Sequence, residues 1–168
     1  NLHSEAYYDY NYGLIGYKKA GLATETLHAY LGDAHMDSIW QEYFKKWAFK
    51  HPHPDDLRQL FESMSHEDLS WYFDDLIGST GKIDYALDGY DCKPRGRDFE
   101  TTVKVESKGD IAPPLPIGLY GSEASQQKVI WVQPTGKHDV FQLKTAFPIK
   151  NVVLDPELVL LDVNRANN

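Results

Sequence analysis

The stretch Leu76-Ile77-Gly78-Ser79-Thr80-Gly81-Lys82-Ile83-Asp84-Tyr85 separates two kinds of hydrophobic pattern, and the fold is read from that change. Upstream of it, apolar residues recur at intervals of three and four, as on one face of a helix. Downstream they alternate in short runs, as on half-buried strands. Gly78-Ser79-Thr80-Gly81 is itself a flexible, turn-forming segment, so the expected division is 1–80 and 81–168. The expected class is α+β: an antiparallel array of about four helices, then a small antiparallel β-sandwich of immunoglobulin-like type.

Working back from the boundary, Leu69, Tyr72, Phe73 and Leu76 mark a fourth helix whose apolar stripe Trp71 widens. Ser65-His66-Glu67-Asp68 before it resembles a capping box, with Asp standing for the usual Glu or Gln. The third helix carries Leu57, Leu60, Phe61 and Met64 and ends near Ser65. Pro54 is suited to its first position, and Asp55 and Asp56 suit its positive end. Lys50-His51-Pro52-His53-Pro54 breaks the second helix, since each proline disfavours helix in the residue before it. That second helix presents Met36, Ile39, Trp40, Tyr43, Phe44 and Trp47, a set no strand buries on one face, with Asp33 as its expected cap. The first carries Leu22, Ala23, Leu27, Tyr30 and Leu31 and stops at Gly32. Gly13 and Gly16 loosen the backbone ahead of it, which places Tyr17 at or near its first turn. Residues 1–13, with Tyr7, Tyr8, Tyr10 and Tyr12, have no clean period and read as a loop packing against another part of a longer chain.

Beyond the boundary the expected strands are 83–87, 99–105, 117–120, 129–132, 140–145, 152–154 and 158–163, about seven in all. Pro94-Arg95-Gly96, Lys108-Gly109-Asp110, Pro134-Thr135-Gly136 and Asp155-Pro156 supply turns between them.

Composition narrows the function. A hydrophobic content of 42% with 13% aromatic residues suffices for a packed core. A net charge of −8 without a basic run argues against nucleic acid or an anionic membrane as partner. No apolar run approaches the roughly 20 residues that span a bilayer. The start Asn1-Leu2-His3-Ser4-Glu5 lacks a signal-peptide pattern and an initiator Met, so the chain is expected to be a piece of something longer. Cys92 is the lone cysteine; flanked by Asp91 and Lys93 in a turn-rich stretch, it reads as inert.

Several catalytic patterns are missing. H-E-x-x-H does not occur: His66-Glu67 is followed by Asp68, Leu69 and Ser70. His51-Pro52-His53 lies in a proline loop and reads as solvated, and no metal is expected in this chain. There is no G-x-S-x-G elbow. Gly78-Ser79-Thr80-Gly81-Lys82 matches a phosphate loop by letters only, with no Ser or Thr after the lysine.

One segment suggests chemistry through a resemblance. Tyr17-Lys18-Lys19-Ala20, followed by an apolar helix closing in Tyr30-Leu31-Gly32, resembles the Tyr-x-Lys-Gly segment of the M1 family of zinc metallopeptidases, with Ala20 where the family has glycine. Trp47 to Asp56, Phe61-Glu62 and Asp68 to Phe73 resemble the helices that follow it in bacterial members, in the same order and register. In that family a β-sandwich comes next, and Leu161 to Asn168 resembles its end. The resemblance implies that Tyr17 donates its hydroxyl to the oxyanion of peptide hydrolysis, and that Tyr12 takes part in substrate binding. It implies further that zinc and its H-E-x-x-H ligands lie upstream in the parent, leaving this chain inactive alone. From residue pattern alone Tyr17 reads instead as a helix-start tyrosine packed on the bundle. The implied partners are the remainder of the parent and a peptide substrate, and bacterial relatives imply the periplasm or cell envelope before the cytoplasm. The alternative is a zinc-less, non-catalytic relative that binds proteins or peptides. Helices that line a cleft expose apolar surface without their neighbours, so weak self-association through the tyrosine-rich start is expected. Light scattering over a concentration series tests this, and a strict monomer at high concentration contradicts it.

Overall fold

Residues 8–168 are described by the computed structural model. They fall into two units, the first ending at Thr80 and the second beginning at Gly81. Tyr7, at the head of the tyrosine-rich start, lies outside the described residues.

In the first unit one long helix, α1, runs through Asp9–Tyr12, Gly13–Lys19 and Ala20–Leu31, and its middle part is π-helical. The expected loop over 1–13 is therefore corrected from Asp9 onward, since the Tyr12 N–H already donates to the Tyr8 carbonyl at 2.9 Å. Gly13 and Gly16 weaken the α pitch without ending the helix. Gly32 does end it. Its φ of 78° is a conformation glycine adopts without steric cost, and its N–H donates to the His28 carbonyl at 2.8 Å.

Gly32 also starts α2 (Asp33–Trp47), accepting from the Met36 N–H at 3.1 Å. Asp33 is thus not the cap the sequence suggested. It is the first helical residue, and its carboxylate accepts from His28 Nε2 at 2.9 Å. Met36 and Ile39 are buried, whereas Trp40 and Phe44 on the same stripe stay exposed. His53 precedes α3 (Pro54–Ser65), its N–H donating to Asp56 Oδ2 at 2.8 Å, and left-handed His66 closes it.

A second correction concerns the capping box. Ser65 belongs to the last turn of α3, with its hydroxyl donating to the Phe61 carbonyl at 2.8 Å. Asp68 instead turns the chain ahead of the next helix, accepting from the Ser70 N–H at 2.9 Å and from the Ser70 hydroxyl. The helix it introduces, α4 (Trp71–Ile77), is again π-helical and buries Trp71, Tyr72 and Leu76. Arg58 ties α3 to α4: it donates to Glu62 at 2.9 Å, to both Asp74 oxygens at 2.8 and 2.9 Å and to Ser70 Oγ at 2.9 Å. Lys19 Nζ donates to the Ser79 carbonyl at 2.7 Å, and the Tyr30 ring meets Trp71 edge-on at 5.4 Å, so α1 lies along α4.

The second unit holds β1 (Tyr85–Arg95), β2 (Asp98–Ser107), β3 (Leu115–Tyr120), β4 (Gln127–Val132), β5 (His138–Thr145) and β6 (Asn151–Leu154). They form two three-stranded antiparallel sheets of order β1-β2-β5 and β4-β3-β6. Tyr85, Val103, Val105 and Leu143 from the first sheet are buried, as are Leu115, Ile117, Leu119, Val152 and Leu154 from the second.

Two strand expectations are corrected. The first strand runs on to Arg95, so Cys92 is not in a turn: it sits in β1 opposite Thr101, its Sγ accepting from the Ile149 N–H at 3.4 Å. The segment 158–163 is not a strand, apart from a bridge of Asp162 to Ile83. Side chains replace the ladder there. The buried Asp155 carboxylate accepts from the Val159 N–H at 2.8 Å and the Leu160 N–H at 3.0 Å. Arg165 donates to the Leu158 and Leu160 carbonyls at 3.1 and 2.7 Å. No described helix is long and apolar enough to cross a membrane.

Two predictions follow from local geometry. Past β2 the backbone crosses Lys82 to Asp84 so closely that a Cβ at Gly109 would stand 2.2 Å from the Lys82 carbonyl oxygen and 2.7 Å from the Asp84 nitrogen. Gly109→Ala is expected to destabilise the chain by more than about 2 kcal/mol in urea unfolding, because backbone must move. At Asp68, hydrogen bonds from the Ser70 side chain and backbone hold the carboxyl below its ordinary range. A carboxyl with a lowered folded pKa stabilises above its unfolded value and loses that contribution as pH falls through the folded one. The gap in unfolding midpoint between the wild type and Asp68→Ala should therefore be widest near neutrality and close below about pH 4. A pH-independent gap contradicts the assignment.

Candidate functional site

Tyr17 lies within the π-helical stretch Gly13–Lys19, none of whose residues is buried. Its ring is 68% exposed and meets the ring of Tyr12, 44% exposed, edge-to-face at 5.7 Å. The pitch explains the pair. At 3.6 residues per turn, side chains five apart point about 140° away from each other. Hydrogen bonding from i to i+5 widens the turn and brings them to one side. Tyr17 is thus held on a regular element, not at a helix entrance as the sequence suggested. No described residue hydrogen-bonds to its hydroxyl, which leaves one donor and its lone pairs open to a ligand. Ile15 and Leu22 are also exposed on this helix, so an apolar margin accompanies the phenols.

Other sequence candidates are placed elsewhere. His51 and His53 are exposed in the loop between α2 and α3. Cys92 is half-buried within its sheet. The Ser79 carbonyl accepts from Lys19, and the Lys82 N–H donates to Asp110 Oδ2 at 3.1 Å. Among the described residues no group of three His, Cys, Asp or Glu side chains is placed to hold a metal. The described residues therefore offer no donor set that fits the zinc the M1 resemblance implies for the parent.

Sequence reasoning missed a cleft of about 210 Å³ lined by Tyr30, Leu31, His35, Ser65 and Glu67. The Tyr30 hydroxyl donates to Glu67 Oε2 at 3.3 Å. Burial, then the Glu67 charge, raises the Tyr30 phenol above its ordinary range. In sequence His66-Glu67 reads as part of a capping-box pattern and as letters of a broken zinc motif. Its glutamate faces a tyrosine 37 residues away in sequence, and no local pattern carries that pairing.

No protein-family model matches the chain. No curated protein matches it either. Among solved structures it is similar to Legionella pneumophila aminopeptidase A, determined in complex with aspartic acid, with a TM-score of 0.67 and 16% identity. The likeness covers 90% of this chain and 18% of that one. At such identity it is a likeness of fold, one shared with a peptidase, and this chain spans less than a fifth of that protein's length.

Proposed function

We propose that the chain is the downstream part of an M1-type zinc aminopeptidase, in which Tyr17 stabilises the oxyanion formed during hydrolysis of an N-terminal peptide bond. The two sheets of the second unit are then the sandwich that follows the catalytic helices in that family. The observation that carries the reading is the Tyr17 phenol itself, exposed, in edge-to-face contact with Tyr12, and unbonded by any described residue. The fold likeness to an aminopeptidase supports it.

In this reading the Tyr17 O–H donates to the carbonyl oxygen as negative charge develops there, an interaction stronger in the transition state than in the bound substrate. Tyr12 limits the swing of the Tyr17 ring and offers its own face to the substrate. Zinc belongs to residues outside this chain. The exposed Trp40, Phe44 and Phe49 of the helical unit are surface for the rest of the parent to cover.

In the intact parent, Tyr17→Phe is expected to lower kcat about a hundred- to a thousandfold with the fold unchanged, since one oxyanion donor is worth that much. Turnover near the wild-type rate on an alanine-linked chromogenic substrate would overturn the proposal. This chain alone should not turn over the same substrate with zinc added. Residues upstream in the parent should include H-E-x-x-H and a later glutamate, and degenerate ligands there would favour a binding module instead.

A further inference from the structure

The cleft between the ends of α1 and α3 has no part in the Tyr17 reading. Two helix C-termini converge on it, since Leu31 is the last residue of α1 and Ser65 the last of α3. Carbonyls in a final turn have no partner within their helix, and they carry partial negative charge. The first turn of α2 brings a positive helix end through His35, but that turn also carries Asp33.

Glu67 adds a full negative charge. Its Oε2 accepts from Tyr30, while among the described residues its Oε1 accepts nothing and no cation pairs with it. The Tyr30 ring is held edge-on by Trp71 at 5.4 Å, which fixes an aromatic wall beside the carboxylate. The Ser65 hydroxyl is already engaged, donating to the Phe61 carbonyl and accepting from the Glu67 N–H at 3.3 Å. That bond fixes the Glu67 backbone on the rim. A carboxylate oxygen without a partner, an aromatic wall and two carbonyl-bearing helix ends form a site for positive charge on an apolar stem.

We propose that this cleft binds an organic ammonium group, a primary alkylammonium whose N–H donors reach Glu67 Oε1 while its carbon chain lies against Tyr30 and Leu31. The charge-assisted hydrogen bond supplies the orientation. A neutral alcohol of the same length lacks it.

The probe is n-butylammonium chloride, titrated into this chain at constant ionic strength and followed by amide chemical shifts, with n-butanol as comparator. Saturable shifts confined to the amides around Tyr30, His35 and Glu67 are expected from the ammonium and not from the alcohol. Glu67→Gln should weaken binding about tenfold, the worth of one charge-assisted contact. Glu123→Gln, on an exposed turn of the second unit, should leave it unchanged. Glu67 is exposed, so its variant is expected to fold, and an unchanged amide spectrum away from the cleft checks this. Shifts that never saturate, that n-butanol reproduces, or that persist in Glu67→Gln would overturn the proposal.

Discussion

The pitch of α1 between Gly13 and Lys19 decides which side chains of the helical unit share a face. A wide i→i+5 turn packs its hydrogen bonds less well than an α turn. The stretch itself buries no residue, and α1 is tied to α4, which has the same wide turn and lies alongside, from Lys19 onward. Lys19 Nζ on the Ser79 carbonyl, Thr24 Oγ1 against the Tyr72 hydroxyl at 3.3 Å, and Tyr30 against Trp71 fasten one to the other. In α4 the widening places Trp71 and Leu76, five apart, both in the core. In α1 it places Tyr12 and Tyr17, also five apart, side by side in solvent. One departure from ideal geometry thus serves packing in the last helix and display in the first.

That departure explains what was and was not legible beforehand. The stop at Gly32 and the start at Pro54 rest on single residues whose backbone preferences are strong and local, and both stand in the structure. The caps at Asp33 and Ser65 do not. A short polar residue before an apolar run is compatible with several positions around a helix start, and His28 and Phe61, each brought in by the preceding helix, decided between them. The π turns escaped notice because periodicity is read at 3.6 residues per turn, and a local change of pitch leaves too few apolar residues to register. The stripe of α2 was legible as helix, but which half would be covered was not. Phe44, 71% exposed, and buried Ile39 look alike in sequence.

In the second unit alternation located the strands well where a ladder exists. It misread 158–163, where Leu158, Val159, Leu160, Leu161 and Val163 make a nearly continuous apolar run such as a buried strand carries. The backbone there is instead gathered around the Asp155 carboxylate, with Asp155 and Leu158 both at positive φ, 47° and 56°. A buried carboxylate that satisfies two backbone N–H groups competes directly with sheet pairing, and nothing in a period-two pattern reveals which one wins. The misplacement of Cys92 has a similar origin: Pro94 and Gly96 are true turn signals, but the turn they make is only the tip of a hairpin whose strand continues back through the cysteine.

The tyrosines of this chain show how a structural hydroxyl differs from an available one. Tyr85 donates to the Pro113 carbonyl inside the second unit, and burial pushes its phenol strongly up, so it stays neutral and fixed. Tyr90 donates to the Lys150 carbonyl at 2.7 Å, and Tyr72 shares a hydrogen bond with Thr24. Tyr85 and Tyr72 fill space in their units with their oxygens already bonded, which is the economical use of a buried tyrosine, and the exposed Tyr90 has its oxygen bonded as well. A group that stabilises developing charge has to meet the opposite requirement. Its ring must be fixed while its proton stays uncommitted, because a hydrogen bond made in the resting state has to be given up before it can help. Among the described residues the Tyr17 hydroxyl is uncommitted, and its ring, on a regular helix, lies against that of Tyr12. Sequence alone could name the tyrosine by its resemblance. The physical case for the role we propose comes from that combination, which depends on the wide turn that places Tyr12 beside it.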